Sequence, residues 1–477
     1  MRKLPLAAVL AACFAAMAPA NPWSFTAPPW LTWTEDPATT VTVTFESPEA
    51  TGAFVTYAPA GSGDSKTLSA PEPSARHELT LRGLLPNTRY TYLAGDGTGA
   101  RYEGKFRTAP ADKATSFRFA LASDLQGGLD VDAAAAVARA VAACGADFTI
   151  SAGDLSDYRY APDYPFALET WRQFFSSFAP VLASGVFQCV TGNHDEPENP
   201  DSLWFRLAPR PGRERDFAYT VGPVRFICLD NAEFEVPSRT PWLARELQKA
   251  AADPAVRWTL VMFHRPPYSW GERGGQGVVQ EWWCPLFAKY EASLVIAGHA
   301  HTYQRTKPIK GVDYLVSGGG GGRLYEVDPS RPEIAFATSC CHFVEFACDP
   351  DKGVLSLAAH DTEGNVFDRA DYPARRAVRF SPAFPKRGEE CTIVYDPAGR
   401  PLEGAEKVYL HFGHDFFKSL DGCVEMEKGG DGLFTATIAV PETPLWHLAF
   451  CFHDGGEKTW DNNHAANWQI LLAPDWR

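Results

Sequence analysis

The chain has 477 residues, a formal charge of −14 at pH 7 and 45% hydrophobic residues. That length predicts more than one domain, and the apolar fraction excludes a mainly disordered or collagen-like chain. The acidic charge argues against the broad basic surface that binds a nucleic-acid backbone or an anionic membrane, so no nucleic-acid scaffold is expected as partner. Beyond the N-terminus no stretch holds the roughly 18 consecutive apolar residues of a membrane span, so no transmembrane span is expected.

Residues 1–20 have the pattern of a signal peptide. A positive start leads into an apolar stretch that ends at Met17, and Ala18–Ala20 is a small-residue cleavage site. We therefore predict a secreted or periplasmic protein whose mature form begins near Asn21. Leu10–Cys13 supports an alternative, because it resembles a bacterial lipobox and implies a lipid anchor on Cys13.

Residues 24–110 are predicted to form a small β-sandwich. Short alternating runs such as Val41–Phe45 and Arg89–Leu93 are separated by Gly, Pro and Asn turns. Leu81–Tyr92, closed by Phe106–Pro110, resembles a fibronectin type III domain. Its expected role is that of a spacer.

Residues 111–372 change to an alternation of buried strands and helices, which predicts an α/β fold. Continuous apolar runs of strand length are the signal for strands buried on both faces. They lie at Phe117–Ala122, Phe148–Ala152, Val186–Val190, Val224–Leu229, Trp258–Phe263, Leu294–Ala297 and Val312–Val316. Helices are predicted at Val131–Ala143, Phe166–Phe178, Pro241–Ala252 and Gln280–Tyr290.

Residues 377–477 are predicted to form a second all-β sandwich. Val408–Gly413, Leu448–Gly455 and Trp460–Trp468 together resemble a starch-binding-type carbohydrate module. Aromatic rings stack on sugar faces and amide groups bind hydroxyls. The resemblance therefore implies an α-glucan or other glycan as partner, with contacts from Trp460, Asn462, Asn463 and Trp468. An equally weighted alternative is a sandwich core with an Asn-rich turn, since alternate residues of the second motif are apolar.

Five short polar motifs follow predicted buried strands of the α/β segment. The carboxyl ends of such strands are where open α/β sheets gather ligands, so these motifs are expected to converge. Carboxylate, amide and imidazole groups without thiolate suit Fe, Mn, Zn or Mg. The motifs are Asp124–Gln126, Gly153–Asp157, Gly192–Asp195, His264 and Gly298–His301.

This order of motifs resembles the calcineurin-like metallophosphoesterase superfamily. Three further segments and the preceding fibronectin-like domain resemble its purple acid phosphatase branch: His264–Tyr268, Gly298–Arg305 and Tyr314–Gly321. The resemblance covers roughly residues 28–370 and implies a layered β-sandwich core flanked by helices.

By resemblance, two metal ions share one carboxylate. Asp124 and His301 would hold the first ion, and Asp154 would bridge to the second. Asn193, His264 and His299 would complete the second site. The family logic is a pair of ions roughly 3.5 to 4 Å apart that activates water and clamps phosphoryl oxygens. His194 would then act as the catalytic acid or stabilise the phosphoryl group, and Asp195 would orient or acidify it.

Two positions depart from the family patterns. Many members have His where this chain has Gln126, and the purple enzymes have a metal-binding Tyr where it has Asp157, with Tyr158 one residue later. Gln126, Asp157 and Tyr158 are therefore either metal ligands or supporting groups. A colourless site is predicted, and the metals are left as Fe, Mn or Zn in a divalent or mixed-valence pair.

Four further side chains near the motifs are expected either to contact substrate or to pack the loops around the metals: Arg265, Tyr268, Tyr303 and Arg305. The predicted function is hydrolysis of a small-molecule phosphate monoester by a metal-bound hydroxide. One alternative is a phosphodiesterase or nucleotide hydrolase with the same site. A second is a glycan-binding surface protein whose metal domain is vestigial.

Overall fold

The computed structural model describes residues 27–473. Gaps in that description fall at residues 127–130, 158–163, 196–203, 206–208, 213–214, 375, 415–416, 418, 444–445 and 457. The predicted signal peptide, the lipobox at Cys13 and the candidate Tyr158 therefore lie outside the described residues. Within the described residues, no helix is both long and apolar enough to cross a membrane.

The N-terminal part is a sandwich of two antiparallel sheets. One sheet pairs β1 (Ala27–Thr32), β2 (Val41–Thr51) and β5 (Ser74–Leu81). The other has the order β4 (Lys66–Ser69), β3 (Ala53–Pro59), β6 (Arg89–Asp96) and β7 (Arg101–Arg107). In β5 and β6, buried residues alternate with more exposed ones, as expected for strands with one face in the core of a two-layer sandwich.

The central part is a second, larger sandwich. A six-stranded sheet has the order β10 (Phe187–Cys189), β9 (Phe148–Ser151), β8 (Phe117–Leu121), β18 (His342–Asp349), β19 (Val354–Asp361) and β20 (Val366–Pro373). A seven-stranded sheet has the order β11 (Phe217–Val221), β12 (Val224–Cys228), β13 (Trp258–Met262), β14 (Leu294–Ala297), β16 (Asp313–Ser317), β15 (Tyr303–Thr306) and β17 (Ile334–Thr338). The neighbours β8 to β10 are parallel, as are β12, β13, β14 and β16.

The helices of the central part are α1 (Val131–Cys144), α2 (Tyr164–Leu182), α3 (Val236–Ala252), α4 (Gly277–Trp282) and α5 (Cys284–Lys289), with a short 3-10 turn at Glu233–Glu235. Apolar residues of α1 and α2 pack in one core cluster with strands of the six-stranded sheet. Those of α3 and α5 pack on the seven-stranded sheet. The predicted strands and helices are confirmed, except that the last helix is two short helices.

The C-terminal part is a third sandwich. One sheet has the order β21 (Val378–Ser381), β22 (Glu390–Tyr395), β26 (Phe434–Ala439) and β25 (Glu427–Lys428). The other has the order β24 (Ser419–Glu425), β23 (Tyr409–His414), β27 (His447–His453) and β28 (Trp460–Asp461), with β29 (Trp468–Leu471) also on β27. Gln248 of α3 ties this sandwich to the central part, because its amide hydrogen-bonds the backbone of both Ala383 and Leu471. No disulfide joins the ten cysteines of the described residues.

Candidate metal centre

The polar motifs follow the carboxyl ends of parallel strands in both central sheets. β8, β9 and β10 lead into three of them, and β13 and β14 into the other two. The backbone turns sharply at these points: φ is 60° at Asp124, 24° at Gln126, 56° at Asp154 and 67° at His299. Such angles are costly for residues with a side chain and cluster at functional sites. The turns return the side chains to one place between the sheets.

Glycines make room for these turns. Gly153 has a φ of 98°, and an added Cβ would lie 2.5 Å from the amide nitrogen of Gly192. At Gly192 an added Cβ would lie 2.0 Å from a carboxylate oxygen of Asp154. Gly153 thus supplies a left-handed turn, as its position before Asp154 predicts, whereas Gly192 is required for close packing.

Four atoms with lone pairs converge around His264. Its Nδ1 donates to the carbonyl of Ala152 at 2.9 Å, which leaves Nε2 as an acceptor in the neutral ring. This Nε2 lies 3.1 Å from a carboxylate oxygen of Asp154, 3.1 Å from Oδ1 of Asn193 and 3.2 Å from Nδ1 of His299. Ligands in octahedral coordination at about 2.1 Å from a cation are about 3.0 Å apart. The group therefore has the spacing of a metal site.

A second group adjoins the first and shares Asp154 with it. Ligand atoms of Asp124, Asp154 and His301 lie within 4.8 Å of one another. His301 donates from Nδ1 to the carbonyl of Arg323 at 2.6 Å, and its Nε2 lies 3.5 Å from Asp124. All six side chains expected to bind metal are thus brought together, and Asp154 belongs to both groups.

The centre is buried and strongly charged. Burial raises the pKa of Asp124 above its usual value, although His264 and His301 oppose that rise. Burial by itself lowers the pKa of His264, but the charges of Asp154 and Asp124 outweigh it and raise that pKa to about 9. Burial and the neighbouring His264 lower the pKa of His299 to about 2. Without a cation the carboxylates hold a proton on His264, and a metal ion bound at Nε2 would take the place of that proton.

The residues present fit a pair of metal ions. Oδ2 of Asp124 and Oε1 of Gln126 are buried without a hydrogen bond among the described residues, which is costly for polar atoms. The Gln126 amide also donates to Asp154 at 3.2 Å, so this glutamine lies within the centre. Oxygen and imidazole donors of this kind suit Fe, Mn or Zn. Two cations would satisfy these atoms and the lone pairs facing each other around His264.

His194 lies at the edge of the centre. Its Nε2 is 3.9 Å from Asp154, and its Nδ1 is 2.5 Å from a carboxylate oxygen of Asp157. Burial lowers the pKa of His194, but the hydrogen bond that its Nδ1 donates to Asp157 and the charge of Asp154 outweigh burial and raise that pKa above its usual value. Asp157 therefore holds the imidazole of His194.

Asp195 has a different place from the one expected. Its carboxylate accepts hydrogen bonds from the backbone N–H groups of Asp154, Leu155, Ser156 and Gly192, at 2.8 to 3.2 Å. In the part of the chain described, none of its hydrogen bonds goes to His194. Burial, together with the charge of Asp154, raises the pKa of Asp195 to about 7. The interpretation of Asp195 as the group that orients His194 is corrected: it anchors two metal-centre loops.

Three of the four expected substrate contacts are engaged elsewhere. Tyr303 is fully buried and donates to Asp368 at 2.7 Å, and Arg305 binds the same carboxylate through two hydrogen bonds of 2.7 and 2.9 Å. Tyr268 packs edge-on against Tyr314. These three side chains thus follow the loop-packing alternative. Arg265 is half-buried beside the centre, and its charge contributes to the low pKa of His299.

Two groups that contact His301 were not predicted from the sequence. The ring of Tyr325 stacks on the imidazole of His301, with centroids 4.3 Å apart and planes 8° apart. The carbonyl of Arg323 fixes the tautomer of the same histidine. Both follow the glycine run Gly318–Gly322, and the amide of Gly322 donates to the carbonyl of Asp124 at 2.9 Å.

The expected glycan contacts divide into two pairs. Asn463 is 2% exposed and donates to the carbonyl of Ala288 at 2.8 Å. Trp468 is 3% exposed, and its indole N–H donates to Glu291 at 3.4 Å. Both side chains face the central part, so neither offers a surface to an external sugar. Trp460 is half-buried and Asn462 is exposed.

Comparisons with known proteins agree with this architecture. Residues 117–303 match the calcineurin-like phosphoesterase family and residues 29–108 the purple acid phosphatase N-terminal domain. Human acid phosphatase type 7 is 30% identical over 258 residues, which are 49% of this chain and 57% of the human protein. An alpha-amylase of Clostridium acetobutylicum is 33% identical over 111 residues, 23% of this chain and 14% of the amylase.

A purple acid phosphatase structure from yellow lupin, PPD1, superposes with a TM-score of 0.60 at 19% identity, covering 72% of this chain and 74% of the lupin chain. The chain spans about half the length of the curated relatives that it matches first. The fold is therefore the metallophosphoesterase fold with an N-terminal β-rich domain, as the motifs predict. The similarities support a phosphoesterase.

Proposed function

We propose that the protein is an exported phosphoesterase that uses two metal ions to hydrolyse phosphate monoesters. The observation that carries this proposal is the shared carboxylate: Asp154 belongs to two adjoining groups of ligand atoms, each within 4.8 Å. Asp124 and His301 would complete one metal site. Asn193, His264 and His299 would complete the other. Export is proposed from the N-terminal sequence alone.

Two bound metal ions would supply an activated water and positive charge for the phosphoryl oxygens. The residues of the chain hold that chemistry in place. His264 and His301 are fixed in one tautomer by backbone carbonyls, so each presents Nε2 to the centre. His194, held by Asp157, carries a proton toward the oxygen of the leaving group. Its raised pKa favours the protonated form that this step needs.

The alternatives predict different substrates. A phosphodiesterase or nucleotide hydrolase would use the same metal-ligand atoms but would need a wider opening to the active site. A vestigial metal domain in a glycan-binding protein would be expected to have lost donors, whereas the six residues assigned to the two metal sites all have ligand side chains here. We therefore favour an active enzyme.

The test is hydrolysis by the full-length protein after loading with Mn, Fe or Zn. We expect p-nitrophenyl phosphate to be cleaved with a kcat/KM at least tenfold above that for bis(p-nitrophenyl) phosphate. Chelation should abolish the activity, and added metal should restore it. Preferential cleavage of the diester would replace the monoester assignment, and cleavage of neither ester after metal uptake would contradict an active enzyme.

We propose second that the C-terminal sandwich binds a glycan through Trp460. Its ring lies in a cluster of half-buried rings with His411, 5.3 Å away, and His411 in turn stacks on Phe417 at 5.6 Å. Asn462, the residue after Asp461, is exposed. Neither His411 nor Phe417 was singled out from the sequence.

The Trp460→Ala variant is expected to lose at least tenfold in affinity for soluble starch, because a stacking platform for the sugar ring is removed. Affinity electrophoresis measures this loss. Trp446→Ala is the matched control, since Trp446 is 82% exposed on the same sandwich and outside the ring cluster. Equal loss in both variants, or none in Trp460→Ala, would contradict the assignment.

A further inference from the structure

One cluster of metal-ligating side chains lies outside the centre described above. His411, Cys423 and His453 each offer a ligand atom, and these three atoms lie within 4.8 Å of one another. The residues come from three adjacent strands, β23, β24 and β27. Cys423 is directly opposite His411 across the sheet. The cluster is formed by strand register, and its three members are distant in sequence.

We propose that His411, Cys423 and His453 form a zinc site in the C-terminal sandwich. The Sγ of Cys423 lies 3.2 Å from Nε2 of His453. A tetrahedral zinc with bonds of about 2.3 Å to sulfur and 2.0 Å to nitrogen separates those atoms by about 3.5 Å. One thiolate with two imidazoles is a donor set that zinc prefers, and a water would fill the fourth position.

Burial and packing support a cation at this place. Leu410 and Phe412 belong to the core, so strand alternation directs His411 to the other, half-exposed face. Among the described residues, the ring nitrogens of His411 have no hydrogen-bond partner, and one of them faces the other two ligand atoms. His453 is 3% exposed, and the rings of Trp460 and Tyr409 cover it at 4.6 and 5.4 Å. Cys423 is the exposed member of the cluster.

Metal binding requires two proton rearrangements. Nδ1 of His453 accepts a hydrogen bond from the amide of Gly455 at 3.1 Å, so the neutral ring carries its proton on Nε2. Coordination through Nε2 moves that proton to Nδ1, and the exposed turn at Gly455 and Gly456 must shift to release the amide. The thiol of Cys423 loses its proton to solvent. Zinc uptake therefore releases protons and weakens as pH falls. The site uses His411, so zinc and a glycan at Trp460 would compete.

The experiment uses Co²⁺ as a spectroscopic substitute for zinc in the full-length, metal-depleted protein. The proposed dinuclear centre has no cysteine, so a thiolate-to-cobalt charge-transfer absorption cannot come from that centre, and its loss in Cys423→Ser assigns it to this cluster. We expect this absorption to appear on adding Co²⁺, to disappear on adding Zn²⁺, and to be absent in Cys423→Ser. His411→Ala should weaken cobalt binding at least tenfold.

Cys144→Ser is the matched control, because Cys144 is a partly exposed cysteine of the central part, far from the cluster in sequence; it should keep the absorption. Circular dichroism verifies that the variants are folded, and both changed side chains are at least partly exposed. Absence of the charge-transfer band in the wild type, or its persistence in Cys423→Ser, would overturn the zinc site. Neither result depends on phosphatase activity.

Discussion

The Asp154→Asn variant is expected to lose at least about 10³-fold in kcat for p-nitrophenyl phosphate, a barrier increase of about 4 kcal/mol. One oxygen of Asp154 accepts the amide of His194 at 2.8 Å, and the other lies 3.1 Å from Nε2 of His264. An asparagine supplies only one oxygen. Its NH2 group would face either a metal ion or the backbone amide of His194, and neither can accept a hydrogen bond. The bridge between the two metal sites is thereby broken.

The metal content of the variant distinguishes loss of the bridging carboxylate from a general loss of folded structure. We expect Asp154→Asn to retain at most one ion per chain by elemental analysis, against two in the wild type. Asp147→Asn is the control, because Asp147 is a partly buried aspartate at the other end of the same strand that pairs with Arg107 at 2.8 Å. It should keep both ions and nearly full activity. A fully active Asp154→Asn enzyme would remove the basis of the proposed function.

The Asp157→Asn variant is expected to lose about 10- to 100-fold in kcat with both metal ions retained. Asp157 binds Nδ1 of His194 and raises the pKa of that imidazole. Without the carboxylate the pKa falls, so His194 loses its proton at a lower pH. The alkaline limb of the pH–rate profile should therefore move toward acid pH relative to the wild type.

Asp195→Asn is the informative comparison for that variant. Asp195 accepts four backbone N–H groups, so an amide there would place its own N–H against them. We expect a lower melting temperature and reduced metal content, with no separate shift of the pH profile in the protein that remains folded. If Asp195→Asn shifted the alkaline limb and Asp157→Asn did not, the roles assigned here would be reversed.

Much of the centre could be predicted because its signal is local. Continuous apolar runs mark the parallel strands, and the polar motifs follow them directly, so convergence at the strand ends is a consequence of the sheet. The role of Asp157 was not predictable in the same way. Asp195 is adjacent to His194 in sequence, but the turn directs its carboxylate toward the loop after β9. Only the folded backbone decides between the two acids.

Contacts between distant segments account for the remaining differences. Arg305 and Tyr303 are satisfied by Asp368, which lies more than 60 residues later in the chain. Trp468 is of a residue type that often stacks on sugars, but its indole N–H donates a hydrogen bond to Glu291 of the central part. No local periodicity reports such partners. The same limitation hid the cluster of His411, Cys423 and His453, which depends on strand register.

The most direct measurement is an anomalous-difference electron-density map from crystals of the full-length protein loaded with manganese. We predict two strong peaks about 3.5 to 4 Å apart, with a carboxylate oxygen of Asp154 within bonding distance of both. Asp124 and His301 should bind one ion, and Asn193, His264 and His299 the other. A single peak, or two peaks that share no ligand at Asp154, would contradict the dinuclear centre.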